Sequence, residues 1–322
     1  MPIIAVTDYT FPTLETEEAI LRPLGATIAA GQCKTVEALI PLVQNADVVI
    51  TQFAPVKAEV IAAMTKARAI VRYGIGVDNI DLDAARERRI PVCNVPDYCI
   101  DEVADHTLAF ILAAARQVVP HTLHLRAGNW GLAAPLDQFW TLRDKTVGIV
   151  GFGRIGREVA ARLGPFKCRR LVFDPVIAAG AIAAAGCEPA SLVDLLAASD
   201  IVTLHCPSTP NTRKMLDAAA ISRMKRGSLV VNLARGDLID TPALVAALES
   251  GHLGGAALDV CNPEPIPLDS PLRSLPNVIL APHVASVSAK AVRTLRETTA
   301  RIAGMALTGE PLPNIVNGVE PA

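Results

Sequence analysis

The segment T-V-G-I-V-G-F-G-R-I-G, Thr146 to Gly156, leaves a chain few ways to fold. A run of β-branched and glycine residues enters a turn in which Gly151, Gly153 and Gly156 have G-x-G-x-x-G spacing. A helical segment, R-E-V-A-A-R-L, follows, and a second strand-like run ends in Asp174, roughly 20 residues after the turn. The spacing alone is a weak signal, but the strand before, the helix after and the acid beyond make it specific. Glycines there permit a tight turn, close approach of the backbone to a pyrophosphate, and packing of helix on strand. The amides and dipole at the helix N-terminus attract phosphate charge. Asp174 would accept hydrogen bonds from ribose hydroxyls and repel a 2′-phosphate, and the next residue is Pro175 and not Arg. The expected cofactor is therefore NAD.

The fingerprint lies midway along the chain, and the same architecture surrounds it on both sides. Short β-branched runs alternate with Ala/Leu-rich helical segments, the mark of parallel sheets covered by helices. Before the fingerprint these runs are I-I-A-V-T (3–7), A-D-V-V-I-T (46–51), A-I-V-R (69–72) and I-P-V-C-N (90–94). After it come R-R-L-V-F-D, D-I-V-T-L-H, S-L-V-V-N-L, G-G-A-A-L-D-V and N-V-I-L-A-P. A long helix beginning D-E-V-A-D-H-T-L reads as a connector, and the segment from Ala289 to Leu307 reads as a helix with no strand of its own. At 322 residues and 51% hydrophobic content, two cores are affordable and disorder is excluded. A net charge of −2 without a basic block argues against nucleic acid, and no apolar run is long enough for a membrane span. The seven scattered cysteines include no C-x-x-C and no zinc pattern, so they read as thiols and no metal is expected. The N-terminus resembles a first strand and not a signal peptide, which points to the cytoplasm.

Three chemically suggestive residues each follow an apolar strand: Arg235 in V-V-N-L-A-R-G, Glu264 in D-V-C-N-P-E-P, and His283 in V-I-L-A-P-H. Singly, each has a plain structural reading, as an exposed turn residue, a solvated loop acid and a strand-end histidine. In an open α/β sheet, however, ligands sit outside the carboxyl ends of the strands, so the three can converge. Together they suit reduction of a carbonyl beside a carboxylate. His283 would donate the proton, Glu264 would favour its charged form, and the planar fork of Arg235 would hold the substrate carboxylate. His205 also ends a strand, but no acid or Arg completes a set around it, and it is assigned to the cofactor wall. His121 and His124, just past the connector helix, read as surface residues.

The motifs G-F-G-R-I-G, N-L-A-R-G-D-L-I-D, G-A-A-L-D-V-C-N-P-E-P and A-P-H-V-A-S, in this order, resemble those of the D-isomer-specific 2-hydroxyacid dehydrogenase family over nearly the whole chain. The resemblance implies that Arg235, Glu264 and His283 are the catalytic trio and that Asp259 faces the nicotinamide. It implies a Rossmann cofactor domain inserted into a flavodoxin-like substrate domain, which explains the midway fingerprint. The expected boundaries are 1–98 for the first part of the substrate domain, 99–287 for the NAD-binding domain and 288–322 for the return. On this footing the cofactor contacts comprise Gly151, Gly153, Arg154, Ile155, Gly156, Asp174, His205, Cys206, Pro207, Thr212, Leu233, Ala234, Arg235, Asp259, His283 and Ser286. The stretch R-Y-G-I-G-V-D-N-I-D gives the substrate contacts Arg72, Tyr73, Gly74, Ile75 and Gly76, beside Arg235 and His283, because closely spaced glycines let successive amides face one anion.

Among family members, the stretches R-Y-G-I-G-V-D-N-I-D and V-C-N-V-P-D-Y-C-I-D-E-V-A-D-H-T-L look nearest to D-3-phosphoglycerate dehydrogenases and C-terminal-binding protein corepressors. Two departures are that no regulatory domain is expected after residue 322, and that Ser286 stands where the corepressors carry Trp. Two functions stay open: an NAD-dependent enzyme interconverting a small 2-oxo acid and its D-2-hydroxy acid, and an NAD(H)-sensing binding protein. The resemblance also implies a homodimer. Arg72 is open as well, between reading a second anionic group and pairing with a neighbouring carboxylate at the surface.

Overall fold

Strand and helix alternate from one end of the chain to the other, and a computed structural model describing residues 1–319 gathers the strands into two parallel sheets. The chain divides into two units, Met1–Tyr98 with the chain from Ser288 onward, and Cys99–Val287.

In the first unit the strands are β1 (Ile3–Val6), β2 (Thr27–Ala30), β3 (Val48–Thr51), β4 (Ala69–Arg72) and β5 (Val92–Cys93). They pair in parallel in the order β2-β1-β3-β4-β5, the flavodoxin-like arrangement. Every residue of β3 and β4 is buried, as expected of strands covered by helices on both faces. One face packs against the helices Glu15–Leu21 and Ala289–Thr308, the latter contributing Leu295, Ile302 and Ala303. The other face is filled by Leu39, Val43, Val60 and Ile61 from two further helices. Helix Ala289–Thr308 is capped by the Ser288 hydroxyl, which accepts from the Ala291 N–H, and is ended by Gly309 at φ +76°. Beyond it the Asn317 side chain accepts from the Val92 N–H and donates to the Ile90 carbonyl, tying the tail along β5.

In the second unit the strands are β6 (Thr146–Val150), β7 (Arg169–Phe173), β8 (Glu188–Pro189), β9 (Ile201–Leu204), β10 (Ser228–Asn232), β11 (Leu253–Leu258) and β12 (Val278–Leu280). Their order is β12-β11-β10-β9-β6-β7-β8, again all parallel. The winding reverses between β6 and β9, the switch point of a Rossmann sheet, where a crevice opens beyond the carboxyl ends of the strands. Asp174, His205, Arg235, Glu264 and His283 all lie past carboxyl ends and so share one edge of this sheet. The helix Ile100–Ala115, which reads as a connector, packs on the helix Arg154–Leu163 and against β10 and β11. Arg162 fastens the two helices through Asp101 at 2.6 Å and Asp105 at 2.7 Å.

The sequence reading omits β2 and β8. Both are short, lie at sheet edges and are at least partly exposed, so they lack the apolar runs of the central strands. Among the described residues the seven cysteines form no disulfide, and no helix is long and apolar enough to cross a membrane.

Candidate active site

The three fingerprint glycines meet three different demands. Gly151 has φ +95°, and a Cβ there would lie 2.7 Å from the Cys206 nitrogen. At Gly156 a Cβ would lie 2.1 Å from the Gly151 carbonyl oxygen, so helix and turn touch only because Gly156 lacks a side chain. Gly153 is different: nothing lies within 4 Å of its ideal Cβ. It is the N-cap of the helix Arg154–Leu163, whose first N–H groups, those of Arg154 and Ile155 among them, have no intrahelical acceptor. Open space above unsatisfied amides and a positive helix end fits a pyrophosphate.

Asp174 closes one side of this turn. Its Oδ2 accepts from the Phe152 N–H at 2.7 Å, and its Oδ1 accepts from Val176 and Ile177 at 2.8 and 3.0 Å. Burial opposes its ionisation, but these three amides and the nearby Arg157 outweigh it and hold the carboxyl below the usual range. A carboxylate offers about four lone-pair positions, so acceptor capacity is left for ribose hydroxyls. Beside it a pocket of about 310 Å³ is lined by Val172, Ile177, Ile182, Ala190 and Ser191, with mostly apolar walls suited to an aromatic base. The sequence reading missed these residues because they come from β7, the loop and helix Ala179–Ala184 after it, and the residues just past the edge strand β8, which carries no strong pattern.

The facing wall follows β9. The His205 ring lies 2.9 Å from the Thr203 hydroxyl, and burial pushes its pKa down to about 4, which keeps it neutral near pH 7. It is therefore poorly suited to serve as a charged proton donor. Burial pushes the Cys206 thiol up to about 11. The Thr212 hydroxyl donates to the Pro207 carbonyl at 2.7 Å and accepts from the Thr209 N–H, closing the loop on itself.

Two loops on the other side of the switch point carry the remaining groups. The amide of Asn232, fully buried at the end of β10, donates to the Arg235 carbonyl and accepts from the Ala234 N–H, bracketing the turn Leu233-Ala234-Arg235. A Cβ at Gly236 would lie 1.9 Å from the Cys261 carbonyl oxygen, so the Arg235 loop presses directly on the segment leading to Glu264. The Thr241 hydroxyl adds a bond to the Asn262 carbonyl. Glu264 stands between Pro263 and Pro265, each preceded by a cis peptide. Its Oε1 lies 2.7 Å from His283 Nδ1, with both side chains partly exposed. A carboxylate accepts only, so Nδ1 carries the proton of this bond.

His283 sits at φ +56°, uncommon for a side chain of its size. Asp259 explains how it is held. Its carbonyl accepts from the His283 N–H at 2.7 Å, while its carboxylate, 1% exposed, accepts from Val284 at 2.8 Å and Ala285 at 2.9 Å. The carboxylate thus grips the chain after His283, with half-buried Ser286 just beyond. A residue expected to face the cofactor has a visible structural task.

In the five-stranded unit, the loop after β4 departs from expectation at three residues. Tyr73 is 1% exposed, and its hydroxyl donates to Glu17 Oε1 at 3.0 Å inside the core, so its side chain is not placed to contact a substrate. The Gly74 N–H, one of the expected anion donors, is taken by the Arg72 carbonyl at 2.9 Å. Those of Ile75 and Gly76 donate to no group among the described residues. Arg72 is buried and does not lie at the surface. Its guanidinium lies 5.7 Å from the centre of the Phe53 ring and folds over Gly74, where a Cβ would fall 1.3 Å from its Nη1.

Residues 108–285 match the NAD binding domain of the D-isomer specific 2-hydroxyacid dehydrogenase family. The chain is 40% identical over 280 residues to the D-3-phosphoglycerate dehydrogenase of Mycobacterium leprae, covering 87% of this chain and 52% of that protein. It thus spans about half the length of that relative. It is 39% identical to the glyoxylate reductase of Korarchaeum cryptofilum over 87% of this chain and 85% of the relative. The D-lactate dehydrogenase of Aquifex aeolicus, solved with NAD and lactic acid, superposes with a TM-score of 0.87 at 27% identity, covering 95% of this chain and 96% of the other. The matched segment, the relatives and the two parallel sheets agree: the chain belongs to the D-isomer specific 2-hydroxyacid dehydrogenase family, and its seven-stranded unit is that family's NAD-binding domain.

Proposed function

We propose that the chain interconverts a small 2-oxo acid and its D-2-hydroxy acid with NAD(H). The observation that carries this reading is the 2.7 Å bond between Glu264 and His283 at the carboxyl edge of an NAD-binding sheet. The glycine turn and Asp174 would hold the dinucleotide, which when bound supplies or accepts the hydride. The chain's own groups do the rest. His283 delivers a proton from Nε2 to the carbonyl oxygen, while Glu264 fixes the ring through Nδ1. Arg235 holds the substrate carboxylate and polarises the carbonyl. In the five-stranded unit the Ile75 and Gly76 amides are the proposed donors to substrate carboxylate, and Arg72 is proposed to read a second anionic group.

The exposed Val118, Leu123, Leu125 and Trp130, on and after the helix Val118–Arg126, support a homodimer. Seven cysteines held as thiols and not as disulfides support a reducing, cytoplasmic setting.

A panel of glyoxylate, pyruvate, hydroxypyruvate and phosphorylated 2-oxo acids, followed by loss of NADH absorbance with simple ketones as controls, tests the reading. The expected result is turnover of 2-oxo acids only, falling about 10²–10⁴-fold in His283→Ala while NADH still binds. Tight NADH binding without turnover of any 2-oxo acid would favour an NAD(H)-sensing protein instead.

A further inference from the structure

Glu17, on the helix Glu15–Leu21, is completely buried, and its ion-pair partner keeps only 12% of its side chain exposed. Arg296, from the helix Ala289–Thr308, grips it in a fork, Nε to Oε1 at 2.9 Å and Nη2 to Oε2 at 2.6 Å. Arg296 also donates to the Thr13 carbonyl and lies 4.9 Å from the centre of the Phe11 ring. The Tyr73 hydroxyl completes the group on Glu17 Oε1, and its ring meets Phe11 edge-on at 5.3 Å. An ion pair largely withdrawn from water is a poor source of stability, since apolar residues of equal volume often do as well. This one fixes the residue between Arg72 and Gly74.

From the reading of the Ile75 and Gly76 amides given above, we propose that Glu17, Arg296 and Tyr73 form a positioning network that aims those amides at the anionic group of the substrate. The geometry runs through the backbone. Tyr73 is held at its hydroxyl by Glu17 and at its N–H by the Thr51 carbonyl, 2.8 Å away. The chain then turns at Gly74, whose φ is +139°. The Gly74 carbonyl accepts from the Val95 N–H at 3.0 Å, and the Ile75 carbonyl accepts from Asn94 Nδ2 at 2.7 Å. In a trans peptide the C=O and the following N–H point in opposite directions. Fixing these two carbonyls therefore turns the Ile75 and Gly76 N–H groups away from β5, and Tyr73 is the fixed point from which the turn departs. Burial, with Glu17 beside it, pushes the Tyr73 phenol far above its ordinary range, so it remains a donor at working pH.

Tyr73→Phe removes one hydroxyl and leaves the Glu17–Arg296 pair intact. KM for the 2-oxo acid is expected to rise about fivefold, the equivalent of one ordinary hydrogen bond, with kcat and NADH affinity unchanged. Oxalate, titrated against the Ile75 and Gly76 amide signals by nuclear magnetic resonance, should bind about fivefold more weakly, and those amides should exchange faster. Val49→Ala, on the opposite face of the same sheet, supplies a control that lowers stability without touching the network. A Tyr73→Phe protein that melts earlier, as the control does, but keeps wild-type KM, oxalate affinity and amide exchange would overturn the proposal. If the wild type turns over no 2-oxo acid, the enzymatic reading fails, and the oxalate and exchange measurements decide the network separately. Should Tyr73→Phe not fold, Arg296→Lys, which keeps the charge but gives up the fork, carries the same test.

Discussion

Asp259→Asn separates two tasks that one carboxylate can perform. In the structure its two oxygens take the Val284 and Ala285 N–H groups at 2.8 and 2.9 Å, in a site 1% exposed. An asparagine of the same shape keeps one acceptor and turns an NH2 group toward the other amide. One charge-assisted bond, worth about 1.5–3 kcal/mol, is lost, and a buried N–H is left facing a donor. A total near 3 kcal/mol is a reasonable magnitude, which for a unit of this size lowers its melting temperature by roughly 6–12 °C. The chain after His283 loses the grip that maintains φ +56°. A displacement of about 1 Å at the ring would lower kcat by up to about 10²-fold. NADH affinity should hold, because the glycine turn and Asp174 are untouched. Calorimetric melting, steady-state kinetics and NADH fluorescence titration give the three numbers. A variant that melts normally but binds NADH weakly would refute the staple and place the carboxylate against the cofactor.

Cofactor choice and acid stability provide two more tests. NAD(H) should be preferred to NADP(H), because the ionised Asp174 repels a 2′-phosphate, and kinetics with both cofactors would expose the opposite preference. His205 is neutral in the fold with a pKa of about 4, against about 6.5 when unfolded, so between those values the unfolded state binds more protons. Stability should therefore fall by about 3 kcal/mol as pH drops from 6.5 to 4 and be unaffected by this group above 6.5. His205→Gln should remove that part of the acid sensitivity, and identical pH slopes of melting in the two proteins would refute the assignment.

The sequence made the glycine turn readable because its requirements are backbone ones: Gly151 turns the chain at φ +95°, and Gly156 is dictated by its contact with Gly151 within one strand-turn-helix unit. The buried central strands were readable for a similar reason, since coverage on both faces leaves continuous apolar runs. Tyr73 was not. Whether its ring turns to solvent or core depends on Glu17 and Arg296, which stand 279 residues apart in the chain. Asp259 was equally hidden, because the direction of its carboxylate depends on how the chain bends after His283. The acids and amides of a site can be listed from sequence, but where each points is set by elements brought together only in the fold.

The helix Ala289–Thr308 has a consequence for the order in which the protein folds. Leu295, Ala300, Ile302 and Ala303 fill the same core as Ile4, Val6, Val48 and Tyr73, so the five-stranded sheet cannot be covered until the last part of the chain has been synthesised. The seven-stranded unit lies within Cys99–Val287, and core residues such as Val150, Val202, Val230 and Leu258 all come from that span. During synthesis the first 98 residues therefore wait with an apolar face uncovered while the second unit is made and can fold, and at ordinary elongation rates that interval is on the order of ten seconds or more. Contacts between residues so far apart in sequence also close slowly. Transient exposure, and with it the demand on chaperones, falls on the N-terminal sheet, and moving Ser288–Thr308 ahead of Met1 by circular permutation would shorten it.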